Sequence, residues 1–335
     1  MWKISSYTGS AILMIMISCG GNEDSANTST EVTQDSSSQT LETIDTRIMA
    51  GDSSADLFFQ RAQLYFKDKE LDKAARDIIT AIRKDSSKVE YFYFLSDVQL
   101  NALQSRRALK SLEKAVALDP QNRTSLLKLM ELQILLKRYV PALSTSQRLL
   151  TLDQQDHEVF FLRGLLFKEQ NNDSLAIVNL QRAVDLDPEM TSAFIILGDL
   201  HEKKSSPLAE GYYRNAVRSG PEDFNALHAY AFYLQNHGKP EKALEQYSTM
   251  MRIDSTSPAP YLNSAVILME SGDHEGAIPH LNTTIERDST FTLAYYYLGQ
   301  CLREEGNISG ARSAFEKAIE LDPRYTEAKE ELKAL

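Results

Sequence analysis

The chain has 335 residues, with 36 Lys+Arg against 47 Asp+Glu and a formal charge of −11. An apolar share of 42%, 14 glycines and 10 prolines describe a folding composition and exclude wholesale disorder and collagen-like structure. The carboxylate excess argues against nucleic acid and polyphosphate partners, which need clustered lysine and arginine. Two cysteines, Cys19 and Cys301, make neither a disulfide-rich scaffold nor a zinc site. Length alone suggests about two globular domains, and the pattern along the chain replaces that estimate.

The first segment carries one charge, Lys3, and then a continuous apolar run from Ala11 to Ile17. Seven apolar residues are far short of the ~20 that span a bilayer as a helix, so the run reads as an export signal. It ends in Met16-Ile17-Ser18-Cys19-Gly20, which resembles the lipobox of bacterial lipoproteins, where a small residue precedes an acylated cysteine. Met16 departs from the leucine-like residue usual three places before the cysteine. The competing reading is a plain signal peptide or an uncleaved anchor with an incidental Cys19, although no A-x-A-like cleavage site follows the run. The resemblance implies a signal over 1–18 and an acyl or diacylglycerol lipid on Cys19. Loss of Lys3 with the signal leaves a charge of −12.

From Gly20 to Ser54 polar and acidic residues dominate, with too few apolar side chains to offset the entropy of ordering them. Residues 19–54 are therefore expected to be the acylated cysteine and a disordered polar tether with a reach of about 30 Å. A short helix around Leu41, Ile44 and Ile48 is compatible with the sequence, but its apolar face is thin.

From Ala55 one pattern recurs. Its clearest column is Ala74, Ala108, Ala142, Ala176, Ala209, Ala243, Ala277 and Ala311, in which six of the seven spacings are 34 and one is 33. Each unit opens on an aromatic residue or leucine, from Phe58 and Phe92 to Tyr261 and Tyr295. Four residues later comes a mostly small residue: Ala62, Ser96, Met130, Gly164, Gly198, Ala231, Ala265 and Gly299. Units end on phrases such as Leu118-Asp119-Pro120, Leu186-Asp187-Pro188 and Leu321-Asp322-Pro323. Each divides into two apolar-periodic helices around a turn, and the small column lets the two helices come close where they cross. The proline after Asp is expected to open the next helix, where its missing N–H costs nothing.

These columns resemble the tetratricopeptide repeat, whose period is 34. The resemblance covers residues 55–325 as eight units: 55–88, 89–122, 123–156, 157–190, 191–223, 224–257, 258–291 and 292–325. It implies an all-α, right-handed α-solenoid of eight helix pairs. Residues 326–335, with Ala328, Leu332 and Leu335 on one stripe, are expected to form a C-terminal capping helix. Three departures carry expectations of their own. Met130 and the Lys137-Arg138 turn predict a wider crossing in the third unit. The residue lost between Leu200 and Ala209 predicts an irregular turn near Ser205-Ser206-Pro207. Pro279, past the first turn of its helix, predicts a late start or a kink.

No catalytic constellation emerges. The histidines His157, His201, His228, His237, His274 and His280 form no H-E-x-x-H, and there is no phosphate loop or nucleophile elbow. Cys301 falls beside the small column and reads as a buried thiol. The chain is expected to have no enzymatic activity, no metal and no cofactor beyond the lipid.

The resemblance assigns binding to a concave groove lined by the first helix of each unit. The column after the opening aromatic includes Phe59, Tyr93, Leu127, Phe161, His228 and Tyr296, and the column seven residues on includes Phe66, Leu100 and Ile134. Chaperone-binding members place lysine in the first of these columns to clamp a terminal carboxylate, and this chain has none there. The candidate groove is thus one for an amphipathic helix or an extended apolar peptide; the same rows serve equally well to pack neighbouring inner helices. The expected role is a scaffold or adaptor lipoprotein that binds protein or peptide partners, membrane-attached by its lipid, at the outer membrane facing the periplasm or else at the cell surface. The alternative is a structural subunit of an envelope assembly, for pilus, secretion or cell-wall machinery, whose apolar rows are buried by self-association.

Overall fold

The computed structural model describes residues 40–335, so the signal peptide, the lipobox and Cys19 lie outside the described residues. The chain divides into two compact units, the first ending at Asn171 and the second starting at Asn172. The first holds α1 (Leu41–Met49), α2 (Ala55–Lys67), α3 (Leu71–Lys84), α4 (Val89–Asn101), α5 (Ser105–Leu118), α6 (Arg123–Leu135), α7 (Tyr139–Leu152) and α8 (His157–Glu169). The second holds α9 (Asp173–Leu186), α10 (Thr191–Lys203), α11 (Ala209–Ser219), α12 (Phe224–Asn236), α13 (Pro240–Ile253), α14 (Ala259–Glu270), α15 (His274–Arg287), α16 (Thr292–Glu304), α17 (Ile308–Leu321) and α18 (Thr326–Ala334). The fold is an all-α solenoid: within each unit every helix packs on the next in chain order, and first helices of successive pairs also touch.

The turn inside each pair has one geometry. Its hinge residue is left-handed in all eight: Lys69, Leu103, Lys137, Asn171, Ser205, Gly238, Gly272 and Gly306, with φ between 52° and 84°. The amide of Lys69 bonds the Phe66 carbonyl and that of Glu70 the Tyr65 carbonyl, and the same two bonds recur at Leu103 and Gln104 and at Gly306 and Asn307. This is the Schellman closure that satisfies carbonyls left open at a helix end. The Lys137-Arg138 turn has it too, so the third pair turns like the others. A left-handed L-residue costs roughly 1–2 kcal/mol, and glycine gives back about 0.5–1 through its looser unfolded chain. Leu103 is 92% exposed at φ 58° and fills no core space. Leu103→Gly is therefore expected to stabilise the protein by about 0.5–1 kcal/mol, and Leu103→Val to destabilise it, read as shifts of the urea midpoint.

The turn between pairs explains the Asp column. Asp85, Asp119, Asp153, Asp187, Asp254, Asp288 and Asp322 each accept, through Oδ1, the amide of the residue two places on, at 2.8–3.0 Å. Pro120, Pro188 and Pro323 do not open the next helix, which starts three residues later. They occupy the second position of a β-turn in which the amides of Asn122, Met190 and Tyr325 bond the Asp carbonyl, a place suited to a fixed φ near −65°. Hydrogen bonds donated by the hydroxyls and amides of Ser87, Thr256 and Thr290 hold Asp85, Asp254 and Asp288 below the ordinary carboxylate value. A depressed folded pKa supplies stability that is present above the unfolded value of about 3.9 and lost as pH falls through the folded one. Asp254→Asn keeps the acceptor oxygen but not the charge, so its midpoint is expected to match the parent's well below about pH 4 and to lie below it at pH 7, with a flatter acid limb.

At the crossing of each pair that lies within one unit, the small column and the residue four places after the alanine column stand opposite each other. A Cβ built on Gly198 would stand 2.7 Å from the Tyr213 ring, and one on Gly299 2.6 Å from the Phe315 ring. The corresponding positions hold Ala62 and Ile78, Ser96 and Leu112, Ala231 and Tyr247, and Ala265 and Leu281, all buried. The third pair inverts the sizes, with Met130 at 0% exposure and Ser146 at 2%. The two positions thus exchange volume, with the large side chain on the first helix and the small one on the second.

The other two departures resolve as follows. The missing residue shortens α11 to 11 residues against 14 in the other second helices, because the turn at Ser205 keeps its place and helix resumes only at Ala209. Pro279 does not delay α15, which starts at His274 in the same register as its counterparts; it lies exposed inside the helix.

Both ends carry an added helix. The tether reading needs correction over residues 41–49, which form α1. Thr40 caps it through its hydroxyl, Ile44 is 1% exposed, and Arg61 of α2 bridges Asp45 at 2.7 Å and Asp77 at 2.6 and 2.9 Å. One buried isoleucine plus a partly buried arginine fork is enough to order a thin amphipathic helix when a preformed flank receives it. At the other end α18 buries Ala328 and packs Leu332 and Leu335 with Phe315 and Tyr325, while Glu331 pairs with Arg303.

Candidate functional site

In the first unit α4, α6 and α8 lie side by side. The Phe59 ring centroid of α2 sits 4.9 Å from that of Tyr91 and 5.3 Å from that of Phe94, and Phe66 stands 5.5 Å from Phe94. Phe59 and Phe66 thus spend part of their surface on the next helix and remain only partly exposed. Tyr93, Leu100 and Phe161 are also partly exposed along successive first helices. Leu127 and Ile134 are 8% and 2% exposed and belong to the core, so they offer a partner almost nothing. The sequence reading separated two columns by number, and only packing decides which members of each turn outward.

His228 and Tyr296 belong to the second unit. His228 is exposed and its ring lies parallel to that of Phe232, one turn along α12, at 6.3 Å. Tyr296 packs against Tyr325, Tyr297 and Phe315 at 5.0–5.9 Å and accepts a bond from the Gln300 amide, so it helps seal the C-terminal helix. Sequence reasoning missed Phe94, which grips Phe59 and Phe66, and Phe232, which is 37% exposed. A search of the positions one turn after the aromatic column would have found Phe232.

Asp97, Lys128 and Glu131 stand among the aromatic rows. The Lys128 ammonium lies 3.0 Å from both oxygens of Asp97 and 6.0 Å from the Tyr93 ring centre. Arg123 bonds Asp156 at 2.7 and 2.9 Å and Glu158 at 2.6 Å. Asp156, 3% exposed, also caps α8 through the Val159 amide. The Tyr91 hydroxyl donates to Asp56. Burial pushes Glu131 up to about 7, and Glu158 and Asp97 add to the rise against Lys128, which lowers it.

In the second unit the Tyr213 hydroxyl stands 2.8 Å from Asp199 and 2.8 Å from Glu202, and burial with these two carboxylates holds it far above the ordinary phenol value. Cys301 is fully buried and burial pushes its thiol up to about 11, which leaves little thiolate. Among the described residues no three His, Cys, Asp or Glu side chains come together as metal ligands, and no helix is long and apolar enough to cross a membrane.

The family described as Tetratricopeptide repeat matches residues 292–331. No curated protein matches the chain. Among solved structures, the chain is similar to MamA from Desulfovibrio magneticus RS-1, residues 41 to the end, with 21% identity, a TM-score of 0.46 and coverage of 52% of this chain and 98% of that one. It is also similar to the Cut9-Hcn1 hetero-tetramer of APC/C, with 14% identity, a TM-score of 0.47 and coverage of 87% and 58%. The last helix pair matches the tetratricopeptide repeat family, and the seven pairs before it repeat its alanine column and its left-handed turn.

Proposed function

We propose that the protein is a non-enzymatic adaptor that binds a protein or peptide partner along the first helices of its first unit. The observation behind this reading is the set of partly exposed apolar side chains Tyr93 and Leu100 on α4 and Phe161 on α8, the two helices that flank α6 and both touch it. A segment laid across them gains apolar burial without ordering the receptor, and each half-exposed aromatic ring adds roughly 1–2 kcal/mol on a scale of ~25 cal/mol per Å². Attachment through a lipid on Cys19, in the envelope and facing the periplasm, completes the reading.

Photo-crosslinking in intact cells tests the binding. Tyr93→Ala with Phe161→Ala removes rings from this surface, and the variant is expected to keep the parent's helical circular dichroism while losing its crosslinked partner bands. Unchanged bands from a folded variant would refute the groove. For the anchor, incorporation of a fatty-acid probe is expected in the parent and not in Cys19→Ala; labelling that survives the substitution would remove the lipoprotein assignment.

A further inference from the structure

We propose that Glu131 is the anchor for a lysine or arginine of the partner, whose flanking apolar side chains lie along Tyr93, Leu100 and Phe161. This deepens the adaptor reading above and rests on it. On this face Asp56 receives the Tyr91 hydroxyl, Asp97 holds Lys128, and Asp156 and Glu158 share Arg123. Glu131 lies on α6, one turn from Lys128 and within electrostatic reach of Asp97 and Glu158, with no hydrogen bond or ion pair among the described residues. Lys128 cannot serve it well, because its ammonium is held by both oxygens of Asp97.

The surroundings specify the occupant. A half-buried carboxylate without a partner carries the desolvation cost of its charge, and an incoming cation recovers part of that cost. Asp97, on the neighbouring helix, is already neutralised and Glu158 is bound to arginine, which leaves charge for one cation and not for a polyvalent ion. The partly exposed rings on α4 and α8 ask for apolar neighbours on the same ligand. A basic residue set in an apolar segment satisfies both demands, whereas an acidic segment meets the carboxylates of Glu131, Asp97 and Glu158.

The test pans phage-displayed random dodecapeptides at pH 8 against the full chain, Glu131→Gln and Glu131→Lys, each checked for parental circular dichroism. The parent is expected to select peptides with one lysine or arginine at a fixed spacing from apolar residues. Glu131→Gln should keep the apolar consensus and lose the basic position, and Glu131→Lys should select Asp or Glu there. Affinity of the selected peptides for the parent should fall about tenfold between pH 8 and pH 6, as protonation removes the Glu131 charge, and stay flat for Glu131→Gln. Within this field the titrating groups are Glu131, Asp97 and Glu158, set against Lys128 and Arg123. A basic position that persists against Glu131→Gln, or an apolar consensus without one, overturns the anchor and leaves the groove standing. Selection of nothing above background overturns the groove itself. A concentration-dependent dimer of the parent that Glu131→Gln breaks would make the occupant a second copy and overturn the assignment to a partner.

Discussion

Replacing Gly299 by methionine is expected to destabilise the last helix pair by about 3 kcal/mol, replacing Phe315 by serine to cost about 3–5 kcal/mol, and the double variant to recover about 2–3 kcal/mol of the summed loss. The first estimate follows from a Cβ that would stand 2.6 Å from the Phe315 ring, inside any real contact distance, with further methylenes behind it. The second follows from emptying a fully buried aromatic site. The expected rescue comes from the protein itself, since the third pair runs on Met130 and Ser146 at these two positions with the same helix boundaries. Neighbouring side chains that share one volume are coupled, and the coupling should reach about 2–3 kcal/mol in a double-mutant cycle. A repeat array can lose its end pair before the rest, so the measurement is amide exchange in α16 and α17 together with the urea midpoint. Additive single effects would show that the two positions do not share one space.

The crossing illustrates what a repeat sequence discloses. The alanine column, the small column and the Leu-Asp-Pro phrases gave helix pairs, boundaries and spacing because each reports a backbone position with a strict size or hydrogen-bond demand. The turn was hidden where its left-handed residue is Lys69, Leu103, Lys137, Asn171 or Ser205, since the Schellman bonds come from the backbone and tolerate a non-glycine residue at a modest cost. Met130 looked like a defect because its compensation, Ser146, lies sixteen residues away on the other helix. The apolar face of Leu41, Ile44 and Ile48 is too thin to announce α1 by itself; its order comes from the flank of α2 and α3 and from the Arg61 fork to Asp45 and Asp77.

The candidate site was less legible than the fold. Columns named the right helices, but burial separated Leu127 and Ile134 from Tyr93, Leu100 and Phe161, and burial depends on the neighbouring pair. Glu131 was passed over because a glutamate on a helix looks solvated until the helices on both sides are in place. Desolvation is a tertiary property, and a list of hydrophobic columns does not record it.

Desolvation also fixes the sign of a large effect on stability. Glu131 has an ordinary value of 4.5 and is pushed up to about 7 in the folded chain. A carboxyl raised on folding favours the folded state only while protonated, so its ionisation destabilises progressively from about pH 4.5 to pH 7 and by a constant amount above. At 1.36 kcal/mol per unit the plateau is roughly 3 kcal/mol. Glu131→Gln keeps the shape and removes the charge, so its urea midpoint is expected to match the parent's at pH 4.5 and to exceed it increasingly up to pH 7, with a gap of about 2–3 kcal/mol at pH 8. Parallel curves for the two proteins would show that water still solvates the carboxylate in the folded chain. The same comparison bears on why a glutamate stands there at all: a residue that lowers stability at neutral pH and lacks a partner within the chain is the kind retained for what it binds, and a bound cation should close the gap by restoring the parent's midpoint at pH 8 without moving that of Glu131→Gln.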